Sequence, residues 1–230
     1  MKTKNLLFAL VAILVISFAS CNTSVKTTKI ETEADSVSYS LGNSIGTNLK
    51  TQFADVNPDI VAEAFVAAFA GEENKLFATP QEADMAIRAY MKRASEKAAL
   101  DNLAKGEAFL AENAAKDGIT VTESGLQYQV VVEGSGVKPT EESTVSVTYH
   151  GTTIDGTVFD SSIERGDTVS FPLNGVIKGW TEGLQLMPVG SKYKFFIPAD
   201  LAYGQRGAGG EIGPNSALIF EVELIDIINE

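Results

Sequence analysis

Alanine and glycine exchange places near Gly118, and that exchange constrains the fold more than any other feature of the chain. Residues 22–117 hold 19 alanines and four glycines, whereas residues 118–230 hold four alanines and 16 glycines. Alanine is the best helix former and glycine among the poorest, so a helical portion should give way to strands and turns. Helices first and strands afterwards, without alternation, predict an α+β chain. Its 230 residues, 44% hydrophobic, are enough for one or two packed domains.

The chain begins with a targeting pattern. Lys2 and Lys4 precede an uncharged apolar stretch from Leu6 to Phe18, shorter than the roughly 20 residues a spanning helix needs. Ala19 and Ser20 then lead to Cys21, the only cysteine. The run "FASC" resembles a bacterial lipoprotein cleavage site, although Phe18 stands where a smaller aliphatic residue is usual. Residues 1–20 are therefore read as a signal peptide and Cys21 as the lipid-bearing residue that holds the chain to a membrane. Plain secretion with an incidental thiol is the alternative, and it leaves a lone cysteine with no internal disulfide partner. Removing Lys2 and Lys4 takes the formal net charge from -12 to -14. That charge repels nucleic acid and anionic lipid, so no nucleic-acid partner is expected. Residues 21–35, rich in Thr, Ser, Lys and Glu, read as a flexible tether.

Residues 36–117 carry three helical signals. Val37, Leu41, Ile45, Leu49 and Phe53 line one helix face. Asn57 and Pro58 form an N-cap with proline at the first position, followed by Val61, Ala64, Phe65, Ala68 and Phe69 at helical spacing. Thr79, Pro80 and Glu82 start a third helix, and the next stop is Gly118. Such a helix over 80–117 extends about 57 Å at about 1.5 Å per residue, too far to pack along one small partner. Two short helices and one long one make a poor core by themselves, which predicts a homodimer through residues 36–117. Gly42 and Gly46 either permit close approach of a neighbour or merely weaken the first helix.

Residues 118–230 alternate as half-buried antiparallel strands do. Leu126, Tyr128, Val130 and Val132 share a face, as do Val145, Val147 and Tyr149, then Tyr193, Phe195 and Ile197, and finally Leu218, Phe220, Val222 and Leu224. Val176, Trp180 and Leu184 place one short helix against the sheet. One histidine, His150, and one cysteine assemble no His-dependent triad, and no Cys/His cluster or calcium loop is present. No metal and no cofactor are expected. His150 beside Gly151 reads as an exposed residue at a strand end.

The segments "VTYHGTTIDGTVFDSS", "GVIKGWTEGLQLM", "IPADLAYG" and "NSALIFEVELIDI" resemble the FKBP-type peptidyl-prolyl isomerases over about residues 118–230. The preceding helices are similar in pattern to the dimerisation domain of Mip-like and FkpA-like envelope lipoproteins. The resemblance implies an FKBP-like antiparallel sheet wrapped on a short helix. It further implies a pocket in which Tyr149, Asp160, Trp180 and Tyr203 are catalytic. Phe159, Arg165, Val169, Val176, Ile177, Ile212 and Phe220 would bind substrate. Trp180 would be the floor under the proline ring, and the Ile177 N–H, unpaired at a helix start, would meet a substrate carbonyl. Trp180, Phe159 and Phe220 would otherwise be ordinary core, Asp160 and Arg165 a surface ion pair, and the two tyrosines rings with backbone-bonded hydroxyls. The glycines of "YHG", "DG" and "AYG" are read as turn residues.

Two departures stand out. Val169 occupies a position where many members carry an aromatic, which implies a smaller wall and weaker macrolide binding. Gly213 stands where proline is frequent, and four glycines from Gly207 to Gly213 imply a mobile loop. The implied activity is isomerisation of X-Pro bonds in unfolded or partly folded envelope proteins, which needs no nucleophile because no bond is made or broken. The competing readings are a chaperone-like module that holds unfolded chains with little turnover, and a structural lipoprotein whose isomerase domain is inactive. Asn22 lacks the acidic character that marks inner-membrane retention in some bacteria, which leans towards the outer membrane, facing the periplasm.

Overall fold

The computed structural model describes residues 29–53 and 55–228. Residues 1–20, Cys21 and most of the expected tether lie outside the described residues. Two compact units are present, Met1–Asn74 and Lys75–Glu230. Among the described residues no helix is long and apolar enough to cross a membrane.

The first unit contains α1 (Glu33–Gln52) and α2 (Pro58–Phe69). Helix α1 starts inside the expected tether because Thr32 and Asp35 form a reciprocal capping box. Asn57 caps α2 as expected, its Oδ1 accepting from the Asp59 N–H at 2.9 Å. Neither helix buries a residue within this chain. Phe69 is 86% exposed and Val66 65% exposed, values that leave these apolar faces uncovered.

The second unit starts with α3 (Pro80–Ala114), capped by Thr79, whose Oγ1 accepts from the Glu82 N–H. The sequence boundary at Gly118 marks the turn after this helix, where φ is +79°, and α3 groups with the sheet that follows. Its C-terminal half docks there. Asn113 Nδ2 donates to Gln127 Oε1 at 2.9 Å, and Gln127 Nε2 donates to the Leu110 carbonyl at 2.8 Å, both side chains being buried. Phe109 packs on Phe196 with ring centroids 6.0 Å apart. A paired amide bridge of this kind satisfies groups that burial alone would penalise.

Strands β1 (Ile119–Val121), β2 (Gln127–Val132), β3 (Thr144–Thr153), β4 (Val158–Ser161), β5 (Val169–Pro172), β6 (Lys192–Ile197) and β7 (Leu218–Ile228) form one antiparallel sheet. Its order is β1-β2-β6-β7-β3-β4, with β5 also pairing β3. Two short helices, α4 (Ser162–Arg165) and α5 (Lys178–Leu184), complete the unit. The inward faces of β3, β6 and β7 match the alternation in the sequence: Val145, Val147, Phe195, Ile197, Leu218, Val222 and Leu224 are all fully buried. Strand β2 does not follow it, because Val130 and Val132 are exposed. The register of β2 against β6 shifts between Val130 and Val132, which pair with the adjacent residues Tyr193 and Lys192, so the two valines no longer share a face.

Helix α5 lies unusually close to this sheet, and glycine is the reason. A Cβ on Gly183 would sit 2.6 Å from Phe195 Cε1, and one on Gly179 would sit 2.5 Å from Ile197 Cγ2. The side chains that directly follow these glycines, Trp180 and Leu184, are buried. Gly183→Ala should therefore destabilise the domain by about 1–3 kcal/mol through overpacking, read as a lower urea midpoint with an unchanged slope.

Candidate active site

Three neighbouring strands and α5 aim a set of rings at one place. Tyr149 follows Val145 and Val147 on the inward face of β3, and its N–H donates to Ser162 Oγ at 2.9 Å. Phe220 sits opposite Gly151 on β7, and Asp160 sits opposite the same glycine on β4. Gly151 is therefore in the interior of a strand, and it is not a turn residue. A Cβ there would lie 2.8 Å from the rings of both Phe159 and Phe220, so its absence makes room for them. His150 likewise lies within β3, half-buried beside Ser161 Oγ at 3.0 Å, and is not the exposed strand-end residue its neighbours in sequence implied. Gly156 and Gly204 do adopt the positive φ of turn glycines.

Trp180 is the centre of the ring cluster. Tyr149 and Phe220 meet it edge to face, with centroids 5.2 and 5.1 Å away at 84° and 81°. Phe220 in turn meets Phe159 at 5.3 Å and 80°. Edge-to-face pairs place the positive rim of one ring on the negative face of the next, which holds each ring's orientation as well as its position. The indole N–H is buried without a hydrogen-bond partner among the described residues.

The rings line an open cavity of about 600 Å³. Ten of the eleven pocket residues expected from the sequence border it: Tyr149, Phe159, Asp160, Val169, Val176, Ile177, Trp180, Tyr203, Ile212 and Phe220. Arg165 stands behind the wall and ties it together, donating to Asp160 and, at 3.3 Å, to the Tyr149 hydroxyl. Phe171 also lines the cavity, 5.3 Å from Trp180, and sequence reasoning passed over it. The signal was present, since Phe171 is two residues beyond Val169 and shares its face of β5.

The polar groups of the pocket are few and mostly engaged. Tyr149 donates its hydroxyl to Asp160. Burial works against the Asp160 charge, yet hydrogen bonds from Tyr149 and Arg165 and the Arg165 charge outweigh it, holding the carboxyl below its ordinary range. The same arrangement pushes the Tyr149 hydroxyl up, chiefly through burial and then through its bond to Asp160. The Tyr203 hydroxyl is raised by burial and by the Asp160 charge, and it makes no hydrogen bond among the described residues. The Ile177 N–H, at the N-cap of α5, has no backbone partner there either. Two unpartnered donors thus face a mostly apolar cavity that Asp160 and Glu211 also border, and the Asp160 carboxyl stays ionised.

Residues 135–225 match the family described as FKBP-type peptidyl-prolyl cis-trans isomerase, and residues 34–130 match the domain amino terminal to FKBP-type peptidyl-prolyl isomerase. The chain is 43% identical over 223 residues to the outer membrane protein MIP of Legionella longbeachae, covering 94% of this chain and 95% of that protein. It is 45% identical over 196 residues to the FKBP-type 22 kDa peptidyl-prolyl cis-trans isomerase of Escherichia coli, covering 83% and 94%. The crystal structure of FkpA from Escherichia coli superposes with a TM-score of 0.64 at 38% identity, covering 86% of this chain and 98% of that one.

The depressed Asp160 carboxyl has a direct consequence for acid behaviour. Its ties stabilise the folded state above the unfolded carboxyl value of about 3.9 and are lost only as pH falls through the lower folded value. The near-UV circular dichroism of the ring cluster should stay constant from neutral pH down to about 4 and change below it. Asp160→Asn should lack that acid step, whereas a wild-type transition centred near neutral pH would contradict the assignment.

Proposed function

The chain belongs to the FKBP-type peptidyl-prolyl cis-trans isomerases, and from that premise we propose that X-Pro amides turn in the cavity over Trp180 by non-covalent enclosure. The observation that carries this reading is the edge-to-face ring cluster around Trp180, with unpartnered donors at the Ile177 N–H and the Tyr203 hydroxyl among the described residues. Amide resonance sets a rotation barrier of about 18–20 kcal/mol, and it is the planar amide that is charge-separated. An apolar cavity disfavours that planar form relative to the twisted one, so removing the bond from water lowers the barrier. Trp180 supports the proline ring, Phe159, Phe220, Val169, Val176 and Ile212 exclude water, and the two donors hold substrate carbonyls. Asp160 keeps Tyr149 and Arg165 in place beside the carbonyl, so its role is positional and electrostatic, with no proton transferred.

The substrates proposed are proline-containing unfolded or partly folded proteins of the cell envelope. One relative is named an outer membrane protein, which supports an envelope location, and the "FASC" run supports a lipid on Cys21 as the anchor. A homodimer is supported by the first unit. Helices α1 and α2 enclose a groove of about 540 Å³ lined by Ile45, Leu49, Phe53, Val61 and Phe65, and nothing lies within 4 Å of a Cβ placed on Gly42 or Gly46. A second copy of the same helices would cover it, as isologous dimers do.

Wild-type protein should accelerate cis-to-trans conversion of a short X-Pro peptide, and absence of turnover would sink the isomerase mechanism in favour of a holding module. Trp180→Leu, which keeps an apolar side chain but removes the ring faces and much of the volume, should lower kcat/KM at least about tenfold, a loss of about 1.4 kcal/mol of transition-state stabilisation. Light scattering of the mature protein should give twice the chain mass, and a monomer would remove the dimer.

A further inference from the structure

The wall of the pocket that carries Ile212 meets the hydrophobic core through Ile212 itself and Ala208. It belongs to the loop from Gly204 to Ala217, whose central residues Gly209, Gly210 and Glu211 are exposed. Gly204, Gly207 and Gly209 all adopt positive φ, so the loop has little stiffness of its own. On its inner side lies the ring-lined cavity, and on its outer side lies a second, polar cavity of about 290 Å³. Glu211 borders both, and α3 supplies Asn102 and Lys105 to the outer one. Beyond that core packing, the loop is a partition between two cavities whose place depends on further contacts.

Two kinds of contact hold it. Ala208 and Ile212 exchange backbone hydrogen bonds at 2.9 and 3.2 Å, which fixes the shape of the tip. The other contacts reach α3. Asn102 Nδ2 donates to the Pro214 carbonyl at 2.9 Å, and Asn215 Nδ2 donates to the Ala99 carbonyl at 3.3 Å. Buried Ala217 seats against Gly106, where an added Cβ would come within 3.1 Å of the Ala217 methyl. Asn215 also closes the loop through its own backbone, its N–H donating to the Gly204 carbonyl at 2.8 Å. It is the one non-glycine residue at positive φ among the described residues, at +55°. Asparagine tolerates that conformation better than most residues, and here it joins loop closure to attachment on the helix.

We propose that Asn102 and Asn215, with the Gly106–Ala217 seat, are positioning residues for the isomerase pocket: helix α3 sets the place of the Ile212 wall. The proposal rests on the isomerase reading above. Helix α3 is thereby part of the substrate-selecting apparatus as well as a connecting rod. When its two side-chain amides are lost, the partition samples several positions and the fraction competent to enclose substrate falls. Apparent affinity falls by the same fraction. Because Ile212 faces the bound chain, the preference for the residue before proline should change with it.

The test uses full-length protein carrying Asn102→Ala together with Asn215→Gly, a pair that removes both donors while glycine retains the positive φ. Asp101→Ala, on the solvent side of α3 where Asp101 pairs with Lys97, serves as the control. The Ile212 δ1-methyl NMR signal should shift or broaden in the double variant while the core methyls of Val147 stay in place. For X-Pro peptides, kcat/KM should fall about three- to tenfold, mainly through KM, with a changed ranking of the residue before proline. The control should match wild type. An unmoved Ile212 signal overturns the proposal whatever the turnover, and so does a moved signal with unchanged kcat/KM and ranking in an active enzyme. If wild-type protein shows no turnover, the isomerase reading fails by itself, and the Ile212 signal still decides whether α3 holds the wall.

Discussion

Close seating of α5 on the sheet is the contact on which the pocket depends. Gly179 and Gly183 let the helix backbone approach Ile197 and Phe195 where any Cβ would collide. Only at that distance does Trp180 project between β3, β7 and β5, so that Tyr149, Phe220 and Phe171 all reach its ring. Gly151 plays the same part on the sheet side by giving up the space that Phe159 and Phe220 fill. The ring-lined surface is thus made by omission of side chains at three glycines as much as by the aromatics themselves.

Electrostatics then keeps that surface suited to its chemistry. A cavity that works by excluding water cannot carry a charge that wanders, and Asp160 is held ionised and in place by Tyr149 and Arg165. Both tyrosine hydroxyls facing the cavity are pushed away from ionisation. Asp160, Tyr149 and Tyr203 are therefore each shifted away from a change of charge in the physiological range. That stability of charge fits a reaction whose barrier is amide resonance and whose catalyst supplies enclosure.

Much of this was legible in the sequence, for identifiable reasons. Strict alternation in β3, β6 and β7 reports the buried face because other elements cover those strands along their length. The same alternation failed in β2, where the register against β6 shifts between Val130 and Val132 and both are exposed. Period reveals a face and cannot reveal whether anything covers it. Ten pocket positions followed from the resemblance to the FKBP-type isomerases, while Phe171, which shares the face of β5 with Val169, was missed. Gly151 and His150 looked like turn residues because glycine after a strand usually is one, and only the ring contacts explain a glycine inside β3. The docking of α3 was invisible for a different reason. It rests on Asn113, Gln127, Asn102 and Asn215, polar residues whose pairing over 14 to 116 positions leaves no periodic trace.

The central claim is that the X-Pro bond turns by enclosure in a pocket of constant charge, without proton transfer. Its most direct test is the pH profile and solvent deuterium isotope effect of kcat/KM on one X-Pro peptide. With Asp160 ionising below the ordinary carboxylate range and Tyr149 and Tyr203 above the ordinary phenol value, the profile should be flat from about pH 5 to about pH 9. The isotope effect should be close to one. A bell-shaped profile within that range, accompanied by an isotope effect of about two or more, would show a proton in flight and contradict the mechanism.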